Sequence, residues 1–176
     1  MWRIEIENWK SIDIVAANTI FAEANKYLMS THEVAEKITN RAFNIFVILV
    51  PVFSLTFGYL FYLKQSNGYI NLIYAAGLAV VVGCSYFLFQ VIFPFSFHSP
   101  GRKPKEIFLS QFFSLNANEQ NLAIVLNEIE TCQLKIEHNE NINSKRLKTL
   151  RNVLVVLGST ALVTVVTTIM SVWYLL

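Results

Sequence analysis

The stretch that decides the fold is "AFNIFVILVPVFSLTFGYLFYL", residues 42–63. It contains no acidic residue, no basic residue and no histidine. At a helical rise of about 1.5 Å per residue it extends roughly 30 Å, which matches the hydrocarbon core of a bilayer. The stretch therefore predicts a transmembrane helix.

Two further runs share this character, residues 72–93 and "VLVVLGSTALVTVVTTIMSVWYLL", residues 153–176. Across the 176 residues, 54% are hydrophobic and only 15% are charged. A soluble core of this size could not readily hide so much apolar surface. The sequence predicts an all-α integral membrane protein with three transmembrane helices and long cytoplasmic helices, in contact with a lipid bilayer.

The distribution of Lys and Arg predicts the orientation. The link between the first two spans carries one cation, Lys64, whereas the other flanks of the spans are rich in cations. The positive-inside rule then places the N-terminus in the cytoplasm and the C-terminus on the extracytoplasmic side of the membrane. The predicted segments are a cytoplasmic helical segment at 1–41, a transmembrane hairpin at 42–93, a second cytoplasmic helical segment at 94–152 and a C-terminal transmembrane helix at 153–176.

Both cytoplasmic segments show helical periodicity. Residues 12–41 lack Pro and Gly, and small or apolar residues recur every three or four positions up to Ala42, so the first helix is expected to continue into the first span. A second helix is predicted to begin near Asn118, with a stripe that "HNENIN", residues 138–143, interrupts. Such stripes fit either a helix pair within one chain or an interface between copies.

The sequence gives little support for catalysis. His32, His98 and His138 lie far apart, and no catalytic constellation, phosphate-binding loop or metal-ligand spacing is present. Cys84 and Cys132 are expected to be packing thiols. We therefore predict no enzyme, no catalytic residue, no metal and no cofactor.

The spans contain weakly polar groups instead. Four hydroxyl residues of the last span are spaced four, three and four positions apart and share one helical face. Hydroxyls on one face serve helix packing in some membrane proteins and line a pore in others. The candidate pore-lining residues are Asn44, Thr160, Thr164, Thr167 and Ser171.

The segment "SPGRKPKE", residues 99–106, combines a Pro-Gly turn with a dense group of cations. Such a group attracts phosphates, either of lipid headgroups or of nucleotides, or it serves only as a topology signal. Cations beside Trp2 and Trp9 form a second set of the kind that holds single-stranded nucleic acid. The candidate ligand-binding residues are Arg102, Lys103, Lys105, Arg3 and Lys10.

The order of these elements, together with "SPGRKPKE", resembles small bacterial antiphage membrane effectors. Residues 12–150 are similar to the SLATT-type effectors, and the third span brings the layout closer to the membrane channel component of the Hailong system. The resemblance implies a homo-oligomeric pore in the bacterial inner membrane that a nucleotide or short oligonucleotide controls. It also implies a nucleotidyltransferase encoded alongside, and a pore that kills an infected cell when open.

The sequence thus predicts an oligomeric membrane effector that forms a ligand-gated ion channel or pore in antiphage defence. One alternative is a non-conducting structural membrane subunit that recruits a cytoplasmic partner. Another is a holin-like pore former without a ligand, although about half of this chain is predicted to be cytoplasmic and holins need little cytoplasmic domain.

Overall fold

The computed structural model describes residues 9–62, 68–93, 95–103, 107, 112 and 114–175, without the side chains of 60–62, 69–70, 171–172 and 174–175. Its main elements are a short 3-10 helix at Trp9–Ser11 and three α-helices, α1 (Ile14–Tyr62), α2 (Gly68–Ile92) and α3 (Ala117–Leu175). No strand occurs within the described ranges. Each α-helix is long and apolar enough to cross a membrane. The prediction of an all-α chain with three span-length helices is confirmed to this extent.

Helix α1 begins after Asp13, whose Oδ1 accepts a hydrogen bond from the amide of Val15 at 3.3 Å. An aspartate in this position satisfies an amide that has no partner within the helix. The helix then continues through Pro51, which has no N–H and so removes one backbone hydrogen bond. The predicted first cytoplasmic helix and the predicted first span are therefore one continuous helix.

Helix α3 begins with a reciprocal cap. The amide of Glu119 donates to Oδ1 of Asn116 at 2.9 Å, and Oε2 of Glu119 accepts from the amide of Asn116 at 3.5 Å. This arrangement is a capping box, which satisfies two amides at a helix start. It explains why the helix begins at Ala117, one position from the predicted start near Asn118.

The apolar stripe of α3 is interrupted at residues 138–143, as predicted, but the burial of the stripe continues through polar residues. Helix α3 is unbroken there, and Asn139 and Asn143 are only 0% and 6% exposed. They continue the three-and-four spacing of the buried stripe from Ile136 to Arg146, which is also buried. Polar side chains can occupy a buried helical stripe when hydrogen bonds satisfy them, so a search for apolar residues ends the stripe too early.

The chain forms two compact units. Unit 1 comprises Met1–Ala35 and Phe95–Asn143, and unit 2 comprises Glu36–Pro94 and Ser144–Leu176. Helices α1 and α3 each contribute residues to both units. The apolar core of unit 1 consists of buried Leu28, Cys132 and Ile136, with Phe21 and Ala24 packed against them.

The core of unit 2 combines residues of all three helices. Its buried members are Ile38, Ala42, Leu49, Cys84, Leu88, Val91, Leu150 and Val153. The outside of unit 2 is also apolar, since it carries most of the exposed large hydrophobic side chains of the described residues, such as Leu55, Leu162 and Trp173. Apolar surface on this scale is typical of a region that contacts lipid or another chain.

The small residues of the α1 stripe are buried within the chain. Ala17, Ala35 and Ala42 are between 0% and 6% exposed. Of the two interpretations that the sequence left open, the structure therefore favours a helix packing within one chain at these positions. An interface between copies has to use other faces of α1. Both cysteines, Cys84 and Cys132, are free thiols and buried, as expected for packing residues.

Candidate functional site

The segment at residues 95–103 lies against α3 in unit 1, and Asn139 fixes it. Oδ1 of Asn139 accepts a hydrogen bond from the amide of His98 at 3.0 Å. Its Nδ2 donates to the carbonyl of His98 at 3.1 Å and to Oγ1 of Thr31 at 3.0 Å. One buried amide thus satisfies both backbone groups of His98 and a hydroxyl of α1.

A lysine of α3 holds the next turn of the segment. Nζ of Lys135 donates to the carbonyls of Ser99, at 2.9 Å, and of Gly101. Gly101 has a φ of 82°, a left-handed conformation that glycine adopts without a Cβ clash. The predicted Pro-Gly turn is present as a bend at Pro100. The ammonium group of Lys135 donates hydrogen bonds to the carbonyls on either side of this bend.

Arg102, a candidate ligand-binding residue, pairs with a carboxylate of its own unit. Its guanidinium donates to Oε1 of Glu128 through Nε at 3.0 Å and through a terminal nitrogen at 2.9 Å. It also donates to the carbonyl of Asn127 at 3.3 Å. The two side chains are only 14% and 13% exposed. The sequence predicted that the positive charge of Arg102 binds a phosphate. In the structure, Glu128 offsets this charge.

Lys103 is exposed and lines a cavity of about 760 Å³. His98, Thr131 and Lys135 contribute polar groups to the same cavity. This cavity brings together two lysines that lie 32 positions apart in the sequence. Lys105 and Arg3 lie outside the described residues.

Lys10 belongs to a different part of unit 1. Its Nζ lies 2.8 Å from the carboxylate of Glu119 and 5.7 Å from the ring centroid of Trp9. The hydrogen bond from Lys10 lowers the pKa of Glu119. Because Glu119 is in the first turn of α3 and Lys135 is 16 residues further on, about 24 Å of helix separates the two positions. The structure does not bring Lys10 together with Lys103.

The three histidines, far apart in the sequence, converge on the same segment. Nε2 of His32 lies 2.9 Å from the carbonyl of His98, and Nε2 of His138 lies 3.3 Å from the carbonyl of Ser96. The ring centroids of His98 and His138 are 4.4 Å apart. Among the described residues, no group of three or more His, Cys, Asp or Glu could hold a metal ion. His32 and His138 instead contact backbone carbonyls of this segment, which the spacing of the histidines in the sequence did not indicate.

The candidate pore-lining residues separate into two sets. Asn44 is exposed on α1, whereas Thr160, Thr164 and Thr167 are half-buried on α3. The threonine hydroxyls donate to carbonyls four positions earlier at 2.8 Å, and Thr160 and Thr164 line a cavity of about 420 Å³ inside unit 2. The side chain of Ser171 lies outside the described set.

Arg146, which the sequence interpretation treated only as a topology signal, is buried in unit 2 at 4% exposure. Its Nε and a terminal nitrogen donate to the carbonyl of Val91 at 3.0 and 2.7 Å, and the guanidinium also donates to Oγ1 of Thr39. Burial lowers the pKa of this arginine. The side chain thus satisfies a carbonyl in the last turn of α2, where no intrahelical partner exists.

Comparison of the chain with protein-family models, curated proteins and solved structures gives no match. The site geometry is therefore the basis for assigning a function. In chemical terms, unit 1 presents a cavity with two lysines, a histidine and a hydroxyl. Such a set can bind an anion by charge and hydrogen bonds.

Proposed function

We propose that the chain is a subunit of a homo-oligomeric membrane channel or pore, and that an anionic ligand controls it from the cytoplasmic side. The observation that carries the proposal is the continuity of α3. This one helix supplies Lys135 and Thr131 to the basic cavity of unit 1 and then forms a span-length apolar segment of unit 2. A ligand in the cavity would therefore act directly on a helix that crosses the membrane.

Membrane insertion is supported by the three span-length helices and by the apolar outer surface of unit 2. The Lys and Arg distribution supports an orientation with unit 1 in the cytoplasm. A reporter enzyme fused at residue 66, between the first two spans, should give an extracytoplasmic signal. A cytoplasmic signal at that position would contradict the orientation.

The water path requires several copies, because three helices cannot enclose a channel. We assign it to the exposed face of α1 that carries Asn44, Pro51 and Gly58 at seven-residue intervals. The hydroxyls of Thr160 and Thr164 donate to their own helix and point toward the cavity inside unit 2, which favours a packing role. Asn44 is the polar side chain that this face offers to water.

The ligand is assigned to the cavity of Lys103 and Lys135. Lys103 is exposed and Nζ of Lys135 contacts two carbonyls beside it, so the cavity is lined by two basic side chains. A phosphate-containing ligand, either a nucleotide or a short oligonucleotide, has the complementary charge. Binding would alter the gate only if the ligand binds the open and closed states unequally.

The test is ion flux through liposomes that contain the purified protein, measured with and without short oligonucleotides and cyclic nucleotides. Asn44→Leu should reduce flux at least about tenfold, because it removes the amide from a path that can then dewet. Thr168→Leu is the matched control. Thr168 is exposed, and its hydroxyl donates to the carbonyl of Thr164 four positions earlier at 2.7 Å. The variant therefore replaces a polar side chain by leucine away from both the Asn44 face and the ligand cavity.

Lys103→Gln should remove the response to the ligand and leave basal flux unchanged, whereas Lys26→Gln, which changes an exposed cation elsewhere in unit 1, should preserve both. Ligand binding should weaken steeply with salt if several phosphates are contacted. Absence of flux from the wild-type oligomer would favour the non-conducting structural subunit. Flux without any ligand response would favour a holin-like pore.

The resemblance to SLATT-type and Hailong membrane effectors extends the proposal to antiphage defence. In that role a nucleotidyltransferase encoded alongside would make the ligand. Phage plating on cells that carry the chain and this enzyme, compared with cells that carry Asn44→Leu, tests the role. Equal phage plating efficiency on the two strains would show that defence does not depend on flux through the channel.

A further inference from the structure

The ligand cavity of unit 1 includes a histidine as well as two lysines. His98 lines the cavity of about 760 Å³ together with Lys103 and Lys135, and it is exposed. Histidine is the side chain whose ordinary pKa, about 6.5, makes its charge change between pH 5 and 8, whereas lysine titrates near pH 10. The lining therefore combines two residue types whose charges depend on pH in different ranges.

The backbone of His98 anchors the 95–103 segment to its neighbours. Oδ1 of Asn139 accepts a hydrogen bond from the amide of His98 at 3.0 Å, and Nδ2 of Asn139 donates to its carbonyl at 3.1 Å. Nε2 of His32 lies 2.9 Å from the same carbonyl. Because these contacts use backbone atoms of His98, a substitution of its side chain should leave the segment in place.

The surroundings of His98 are rich in basic groups. They are Arg102 and Lys103 of the 95–103 segment, Lys135 and His138 of α3, and His32 of α1. The ring centroids of His98 and His138 are 4.4 Å apart, and Arg102 is paired with Glu128. None of the described residues that line the cavity is acidic. A positive charge on His98 would thus face like charges, and a bound anion would compensate it.

We propose that His98 is an anion-binding residue of this cavity, and that its protonation strengthens the binding of a phosphate-containing ligand as the pH falls from 8 to 5.5. Protonated imidazole has two N–H donors and a positive charge, and phosphate oxygens accept such hydrogen bonds. Because linkage is reciprocal, ligand binding should also take up protons. The proposal rests on the ligand assignment made above but not on conductance.

The experiment is isothermal titration calorimetry of the purified protein in detergent at pH 8 and pH 5.5. The probe is a short thymidine oligonucleotide without a terminal phosphate, because a phosphate monoester itself titrates near pH 6. Wild type should bind about fivefold more tightly at pH 5.5, which corresponds to about 1 kcal/mol. This is the scale of two opposite charges about 4 Å apart in water. Buffers of different ionisation enthalpy measure the proton uptake.

Two substitutions of His98 should act in different ways. His98→Gln keeps a polar, uncharged side chain, so it should bind like wild type at pH 8 and not gain affinity at pH 5.5. His98→Arg is charged at both pH values, so it should bind about fivefold more tightly than wild type at pH 8 and change little at pH 5.5. A merely structural role of the imidazole would weaken binding in both variants at both pH values.

His32→Gln is the matched control. His32 contacts the same segment through the carbonyl of His98 but does not line the cavity, so this variant should keep the pH dependence of wild type. His138→Gln tests the neighbouring ring, and it should also keep a gain in affinity at pH 5.5. Loss of the pH dependence in either of these variants, with its retention in His98→Gln, would assign the proton to another histidine and overturn the proposal.

Other results would also overturn it. Equal affinity of wild type at the two pH values would show that His98 does not bind the anion through its charge, and the ligand assignment to the lysines would stand. Absence of binding at both pH values would contradict the ligand assignment itself. Thermal unfolding at both pH values identifies a variant that does not fold. His98→Gln and His98→Arg each make a separate prediction, so either variant alone is a sufficient test.

Discussion

Units 1 and 2 bury different kinds of groups along the same two helices. In unit 1, the buried stripe of α3 continues through Asn139 and Asn143, which contact Thr31 of α1 through hydrogen bonds of 3.0 and 2.8 Å. In unit 2, the stripe continues through Leu150 and Val153 within an apolar core. Unit 1 also places its polar groups against a segment of irregular backbone, whereas the unit 2 core is built from helices alone.

This difference distinguishes the burial of apolar surface, which stabilises helix packing, from directional hydrogen bonds, which select one helix register. Apolar contacts are not directional, so in unit 2 the selection of a helix register depends on Arg146, which donates to Val91 and Thr39. Amide hydrogen bonds select one arrangement, as a single buried Asn does in coiled coils. In unit 1, Asn139 can satisfy the amide and carbonyl of His98 and the hydroxyl of Thr31 in one register only. We infer that Asn139 and Asn143 fix the register of α1 against α3 within unit 1.

The two buried arginines extend the comparison. Arg102 in unit 1 faces the carboxylate of Glu128, at 2.9 Å. Arg146 in unit 2 donates to the carbonyl of Val91 and the hydroxyl of Thr39. A carboxylate compensates a buried positive charge, whereas carbonyl and hydroxyl dipoles do so less completely. This contrast agrees with the lowered pKa of Arg146, which burial causes.

The largest expected effect comes from the amide of unit 1. Asn139→Leu should destabilise the protein by about 2–3 kcal/mol, because it removes the acceptor of the His98 amide and the donor that Asn139 supplies to the carbonyl of His98 and the hydroxyl of Thr31. Thermal unfolding in detergent measures the change, and limited proteolysis near residue 100 measures release of the 95–103 segment. Asn141→Leu, at an exposed position of the same helix, is the control. Equal stability of Asn139→Leu and wild type would remove the distinction between the two units.

A smaller effect is expected from the ion pair of unit 1. Arg102→Gln and Glu128→Gln should each cost about 1–2 kcal/mol, since each leaves a largely buried charge unpaired. The double variant should cost less than the sum of the two single changes, because the partners contact each other directly. Thermal unfolding of all four proteins gives the coupling. Strict additivity would show that Arg102 and Glu128 do not stabilise each other.

Much of the fold could be predicted from the sequence. The spans are long apolar runs without charges, and the absence of Pro and Gly from residues 12–41 predicts the continuity of α1 with the first span. The burial of α3 at residues 138–143 could not be predicted in the same way. It depends on hydrogen bonds that Asn139 and Asn143 donate to residues more than 40 and 110 positions away, which the spacing of apolar residues does not indicate.

The site was less predictable than the fold. A count of cations locates Arg102 and Lys103, but it cannot show that Glu128 compensates the first and that Lys135 joins the second. The partner of each cation is set by which faces of α3 and the 95–103 segment meet. Arg146 shows the same limit in unit 2, because this cation before the third span is buried while the nearby Lys145 and Lys148 are exposed.

The smallest expected effect tests an exposed contact of unit 1. The hydroxyl of Tyr27 donates to Oε1 of Glu140 at 2.7 Å, and this hydrogen bond, followed by the negative charge of Glu140, raises the pKa of Tyr27. Because the folded-state pKa is the higher one, the contact stabilises the protein below the ordinary tyrosine pKa of about 10. The contribution is lost as the pH rises through the folded-state value. Tyr27→Phe should therefore lower the Tm by no more than about 2 °C near pH 8, and the difference from wild type should shrink above pH 10. A difference that persists unchanged at high pH would show that packing of the ring, rather than the hydroxyl, links α1 to α3 at this position.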